Sequence, residues 1–264
     1  MTAQNTAAYK HVQGLSRGLA ILRALNRAEG NWASIRELSD ATGLHRTTVR
    51  RLLETLQAEG LVRRSASDDS YRLTLEVRAL SEGFTDDEWI SQVASPVLGE
   101  LLQKVVWPSD LSTLDGLSML IRETTHRFSP LSFHGAMVRR RLPLLTTAAG
   151  RAYLAFCPDA EREDLLAKLE AAFGGLPEST GGRTALRKML EKCRADGCAC
   201  NFGEWETEQK FIAIAVPVFR GQRVAGCINI VMLKHAASIE QAIERHLETL
   251  QASARKIELY FNDK

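Results

Sequence analysis

Residues 34–60 read SIRELSDATGLHRTTVRRLLETLQAEG, and this stretch decides the fold of the N-terminal third. Ser34 and Glu37 stand at the serine-to-glutamate spacing of a capping box, in which each side chain satisfies a backbone N–H left open at a helix start. The spacing predicts a helix from Ser34 that ends at Gly43, a residue free to take the left-handed turn that stops a helix. A second helix is predicted from about His45 to Glu59, stopped by Gly60. Upstream, Leu15, Leu19, Leu22 and Leu25 recur at helical spacing, with Gly30 just past the pattern. Downstream, Leu61 to Arg64, the polar run Ser65 to Ser70, and Tyr71 to Thr74 read as strand, loop and strand. Three helices followed by a hairpin make a winged helix-turn-helix over residues 14–74, preceded by a flexible tail at 1–13.

The second helix of that pair carries the chemistry. Val49, Leu52, Leu53 and Leu56 form one apolar stripe, and at ~100° per residue Thr47 and Arg51 point almost directly away from it. Arg50 and Thr48 flank them, and Arg46 adds a further cation near the helix start. Guanidiniums can grip guanine O6 and N7 in a bidentate way, and threonine hydroxyls can meet base edges or phosphates. The face therefore predicts a recognition helix entering the major groove of double-stranded DNA, through Arg46, Thr47, Thr48, Arg50 and Arg51. Arg63, Arg64 and Arg72 on the hairpin are expected to hold phosphates. The bland reading, an amphipathic helix with a solvated basic side, does not account for the order of cap, turn, basic helix and hairpin.

Composition alone would not have suggested DNA, because 34 basic residues against 32 acidic leave a net charge of only +2. The 264 residues exceed the common domain size of about 100–150, so a second domain is expected. Its longest apolar runs, Phe211–Phe219 and Val224–Leu233, fall well short of the ~20 residues of a membrane span, so no membrane partner is expected. The polar N-terminus and five cysteines without disulfide spacing point to a reducing, cytoplasmic setting. Leu75 to about residue 86 reads as a linker helix. Residues 87–264 alternate helix and strand. A helical stretch from Trp89 to Val106 is kinked or restarted at Pro96, and a hairpin lies around Asp115-Gly116. Helices follow near 148–156, 159–171 and 184–195, then an antiparallel pair, Phe211–Val218 with Val224–Leu233, and a last helix, Ile239 to Phe261. This is an α+β pattern.

At this point the residues resemble a known family. Gly14 to Leu22, Leu38 to Leu44, Thr47 to Leu56, Gly60-Leu61-Val62 and Tyr71-Arg72-Leu73 resemble the IclR family of bacterial regulators, as does Pro143 to Ala155 downstream. The resemblance implies an N-terminal winged helix-turn-helix, a linker helix and a C-terminal GAF-like effector-binding domain, assembled as a dimer or tetramer. Val105 to Pro108, Glu123 to Ser129 and Leu131 to His134 resemble the members that activate aromatic-acid catabolism of the hydroxyphenylpropionate type, which leaves RNA polymerase open as a further partner; a repressor, or a regulator answering to a different small carboxylate, stays open beside it. The chain departs from many members at His45-Arg46-Thr47, where Pro-Lys-Ser is frequent, which bears on operator sequence.

Carried over by position, the resemblance implies an effector site at Glu204 or Trp205, Ala213, Asn229 and Val231. For an aromatic carboxylate, Arg122 and Arg127 are the expected cations, with His126 for a ring hydroxyl and Phe128 and Trp205 as ring neighbours. No nucleophile elbow, phosphate loop or dinucleotide fingerprint is present, so neither enzyme activity, catalytic residues nor a cofactor is expected. Cys198-Ala199-Cys200 with Cys193 lacks the spacing and fourth ligand of structural zinc, so no metal is expected; a thiol redox sensor stays open beside plain core packing. A C-terminal domain that only oligomerises also stays open.

Overall fold

The computed structural model describes residues 12–80, 89–132, 134–177 and 180–262. The chain divides into two units, Met1–Phe84 and Thr85–Lys264.

In the first unit, α1 (Gln13–Arg27), α2 (Ile35–Thr42) and α3 (Arg46–Ala58) pack around Ile21, Leu25, Leu38, Val49, Leu53 and Leu56, all buried. The capping box is formed: Ser34 N–H donates to Glu37 Oε2 at 2.7 Å, and Glu37 N–H donates to Ser34 Oγ at 3.3 Å. Gly43 closes α2 at φ 68°, a conformation a side chain would strain. His45 lies just outside α3 and caps it, Nδ1 accepting from Thr47 N–H. Two residues of extended chain, β1 (Ala33–Ser34), join the predicted hairpin of β2 (Val62–Arg64) and β3 (Ser70–Leu73) into a sheet ordered β1-β3-β2. The sequence reading missed β1, which is too short to show alternation. Of the predicted linker helix, Glu76–Ala79 is helical (α4), while its residues 81–86 lie outside the described ones, as does most of the predicted tail.

The second unit is a six-stranded antiparallel sheet with helices on both faces. Ile90–Ala94 makes a wide helical turn that leads into α5 (Ser95–Val105), with Pro96 in its first turn, where a missing N–H costs little. The strands are β4 (Ser109–Asp115), β5 (Ser118–Thr124), β6 (Arg141–Pro143), β7 (Ala199–Asn201), β8 (Phe211–Arg220) and β9 (Arg223–Leu233). The helices are α6 (Ala148–Phe156), α7 (Asp159–Phe173), α8 (Gly182–Asp196) and α9 (Ile239–Asn262). Strand order is β6-β5-β4-β9-β8-β7. Gly116 and Gly221, at φ 62° and 60°, open the two-residue turns of the β4–β5 and β8–β9 hairpins.

Alternation along β8 and β9 sorts the two cores. Ile212, Ile214, Ile228 and Ile230 face α5 and α9, while Ala213, Ala215 and Cys227 face α6. Small residues on the α6 side let that helix come close. At Gly150 a Cβ would lie 2.4 Å from the Leu144 backbone, so glycine alone fits where the chain before α6 folds over its first turn. Among the described residues no helix is long and apolar enough to cross a membrane.

Candidate functional site

Two sets of residues stand out, one in each unit. In the first, the side of α3 opposite its core stripe is exposed at Arg46, Thr47, Arg50 and Arg51, with Thr48 half-buried. Arg50 Nε lies 3.4 Å from Glu54 Oε1, both side chains well exposed, whereas no ion pair among the described residues involves Arg46 or Arg51. The hairpin arginines are not equivalent. Arg64 pairs with Asp69 at the tip, while Arg63 and Arg72 lie over the ring of Trp32, at 5.5 Å and 5.2 Å from its centroid.

In the second unit a partly open cavity of about 50 Å³ sits between the sheet and the start of α6. At about 10–15 Å³ per water, it has room for a few waters or a compact small molecule. Asp110 of β4, Ala213 of β8 and Asn229 and Val231 of β9 form its floor, with Asn201 of β7 at one side. Thr147, Ala148 and Ala149 at the head of α6 close another wall. The loop between β5 and β6 brings His126, His134, Met137 and Arg140, and the segment before β8 brings Trp205 and Glu208.

A buried polar cluster lies at the inner end. The Asp110 carboxylate accepts from Thr124 Oγ1 at 2.6 Å and from Asn229 Nδ2 at 3.2 Å, and His126 Nε2 stands 3.6 Å from its Oδ2. Burial pushes the Asp110 carboxyl up, but the nearby His126 ring and the hydrogen bonds from Thr124 and Asn229 outweigh it and hold the group below its ordinary range. A register shift in β4 between Leu111 and Ser112 falls next to this carboxylate, as bulges commonly do beside sites. Ser132 Oγ fixes the other ring nitrogen of His126, Nδ1, at 2.7 Å. Two buried atoms of the cluster have no hydrogen-bond partner: His126 Nε2 and Asn229 Oδ1. Both belong to side chains that meet the same carboxylate oxygen, Asp110 Oδ2, through His126 Nε2 itself and through Asn229 Nδ2, and groups buried without partners cost about 1–3 kcal/mol each.

The outer end is a second charged group. Arg140 pairs with Glu208, lies 4.6 Å from the Trp205 ring centroid, and is approached by His134, whose Nε2 is 3.4 Å from Glu208. Burial, with Arg140 nearby, holds His134 below its ordinary range despite Glu208. Phe211 packs against the His134 ring at 5.1 Å.

Five of the eight effector residues named from the sequence, His126, Trp205, Ala213, Asn229 and Val231, line this one cavity. Arg122, Arg127 and Phe128 do not line it. Arg122 Nη1 donates to Thr113 Oγ1 at 3.2 Å across the hairpin, and Phe128 is 72% exposed. The lining cation is Arg140. Glu204, the alternative to Trp205, pairs instead with the buried Arg151 at 2.9 Å. Asp110, Arg140 and Glu208 were missed; Arg140 is hidden in the basic run Arg139–Arg141, which reads as solvated surface. The thiols of Cys157 and Cys193 are pushed up to about 11 by burial, against a reactive role for either. No group of three or more metal-ligating side chains is found among the described residues.

Comparison with known proteins adds the family. The model for the bacterial transcriptional regulator IclR C-terminal domain matches residues 84–259, and that for the IclR helix-turn-helix domain matches residues 14–66. The HTH-type transcriptional regulator XynR of Escherichia coli K12 is 27% identical over 224 residues, covering 84% of this chain and 86% of its own. The crystal structure of Thermotoga maritima IclR superposes with a TM-score of 0.67 at 20% identity, over 95% of this chain and 99% of that one. An IclR homolog from Microbacterium hydrocarbonoxydans, solved with 4-hydroxybenzoate, superposes with a TM-score of 0.62 at 23% identity, over 95% and 100%. These two show a shared fold.

Proposed function

The chain belongs to the IclR family of bacterial transcriptional regulators, and from that premise we propose that it is an effector-responsive activator of aromatic-acid catabolism. Its effector is a hydroxylated aromatic carboxylate of the hydroxyphenylpropionate type. The observation that carries this reading is the pair of partnerless atoms, His126 Nε2 and Asn229 Oδ1, beside the buried Asp110 carboxylate. A single hydroxyl answers both, donating to Asn229 Oδ1 and accepting from His126 Nε2–H. Asp110 repels a carboxylate at that end, so the acid group turns to Arg140, whose five donors can serve Glu208 and a ligand together. The ring then lies among Trp205, Phe211, Ala213 and Val231, an apolar wall with few polar groups, as small-molecule sites usually are. The Microbacterium neighbour holds a ligand of the same pattern, one hydroxyl and one carboxylate on a ring.

In this reading the first unit places Arg46, Thr47, Thr48, Arg50 and Arg51 against base edges and phosphates of the major groove, with Arg63, Arg64 and Arg72 on the backbone beside it. One such helix spans few base pairs, so the protein acts as a dimer or tetramer on two-fold related half-sites. As an activator it also meets RNA polymerase at the promoter.

The test is thermal unfolding with 3-(3-hydroxyphenyl)propionate, phenylpropionate and glyoxylate, since a ligand that binds only the native state raises its melting temperature. The hydroxylated acid is expected to give the largest rise. Phenylpropionate should bind about 5- to 150-fold more weakly, the worth of the two hydrogen bonds its missing hydroxyl would have made. A rise with glyoxylate and none with the aromatic acids overturns the ligand class.

A further inference from the structure

The three-stranded sheet of the first unit brings one aromatic and two cationic side chains into a single row. Ala33 pairs with Tyr71 and Ser34 with Ser70, so continuing the antiparallel register by one residue sets Trp32 beside Arg72. Arg72 is in turn paired with Arg63 across β3 and β2. Residues paired in this way project from the same face of a sheet, and the next residue along each strand projects from the other. Trp32, Arg72 and Arg63 therefore share one face, while Tyr71 and Arg64 belong to the opposite one, where Tyr71 enters the core and Arg64 turns to Asp69.

Like charges placed directly opposite one another repel, yet no ion pair among the described residues relieves Arg63 or Arg72. What they share is the indole: both guanidiniums lie over Trp32, at 5.5 Å and 5.2 Å from the ring centroid. An aromatic face attracts cations and holds a planar guanidinium in a fixed plane, which lowers the entropy lost when its N–H groups are later used. Trp32 is half-buried and stands outside the core of its unit.

We propose that Trp32, Arg63 and Arg72 form one phosphate clamp, in which the indole positions both arginines on a single DNA backbone phosphate. This rests on the reading of the first unit as DNA-binding and adds to it a positioning residue and a count of phosphates. Two separate arginine contacts would neutralise two phosphates, and the clamp neutralises one. Arg64 lies outside it.

The experiment uses the full-length protein and a random-sequence duplex, titrated over a range of salt. Each neutralised phosphate contributes about −0.9 to the slope of log K against log salt. Arg63→Ala and Arg72→Ala are each expected to flatten that slope by about 0.9, and the double variant by about the same 0.9. Trp32→Ala should weaken binding by about 2- to 5-fold, the worth of an exposed cation–π contact. Trp32 is the one tryptophan of its unit, the other three being Trp89, Trp107 and Trp205. DNA is therefore expected to change the tryptophan emission of the wild type, and Trp32→Phe, which keeps a ring in place, to abolish that change. A double variant that loses about twice the single slope shows two independent phosphates and overturns the clamp. Tight DNA binding with unchanged emission, or unchanged slopes in both arginine variants, overturns it as well. If the wild type binds no duplex even at low salt, the DNA-binding reading itself falls, an outcome distinct from the other two.

Discussion

The basic face of α3 and the cavity of the second unit handle charge in opposite ways. On α3, Arg46 and Arg51 stand exposed, without ionic partners among the described residues. In the cavity, Asp110 is buried with His126, Thr124 and Asn229 around it, and Arg140 is tied to Glu208. A polyanion supplies its own counter-charge, so the surface that meets it can remain unpaired and solvated until it arrives. A small ligand brings one or two groups into a largely buried space, so the site must be nearly balanced in charge beforehand and leave open what the ligand will satisfy. The atoms left open there are two, His126 Nε2 and Asn229 Oδ1.

The largest effect that would break this contrast is on stability. Asp110→Ala leaves the Thr124 and Asn229 donors without their acceptor and removes the carboxylate 3.6 Å from His126 Nε2, and removing one partner of a buried pair costs about 3–5 kcal/mol. Chemical denaturation should show that loss in the second unit, with the first unit's transition unmoved. A cost below about 1 kcal/mol, the value of an exposed pair, would mean the cluster is not the closed unit described.

Arg51→Ala is the counterpart on the exposed side. It is expected to leave folding unchanged while costing about 1–3 kcal/mol in operator binding and relaxing sequence choice at one position. Equal losses on cognate and random duplexes, measured by competition, would reduce Arg51 to a phosphate contact. Beneath that face, Ser34→Ala removes the capping box that starts α2 and should cost about 1 kcal/mol of stability in the first unit, read by its denaturation midpoint.

A slower trend with pH separates the two regions further. His134 is held below its ordinary range, so the unfolded chain takes up its proton first and native stability falls as pH drops below about 6.5. Asp110 is also held low, so its contribution is present above about pH 3.9 and is lost as pH falls through its depressed native value. Both losses run toward acid and both fall on the second unit. Denaturation midpoints for that unit should therefore decline between pH 7 and 4 through His134 and further below pH 4 through Asp110, and a rise between pH 7 and 4 would contradict the assigned environment of His134.

The same contrast explains what could be read from the sequence. A helix repeats its faces within one segment, so Val49, Leu52, Leu53 and Leu56 fixed where Arg51 and Thr47 must point. Capping and glycine turns likewise marked α2, α3 and both hairpins. The cavity is assembled from strands, loops and a helix start far apart in the chain, and its polar cluster depends on register: Asp110 pairs with Asn229 and with Thr124 across two neighbouring strands. Nothing in a single segment announces that. Arg122 and Arg127 were the natural cations by proximity to His126, but Arg122 is turned to Thr113 and the cavity receives Arg140 from the far end of the loop. The edge strands β6 and β7, of three residues each, were too short to leave a periodic trace.

The central claim is that a hydroxylated acid in the cavity alters what the basic helix does, and this requires the ligand to favour one state of the DNA complex over another. Isothermal calorimetry with 3-(3-hydroxyphenyl)propionate, with and without operator duplex, on wild type and Asn229→Ala, tests it most directly. The account predicts that operator changes the acid's affinity by about 5- to 150-fold, the usual range of allosteric coupling, and that Asn229→Ala weakens the acid with or without DNA. An affinity that is the same with and without operator would contradict it.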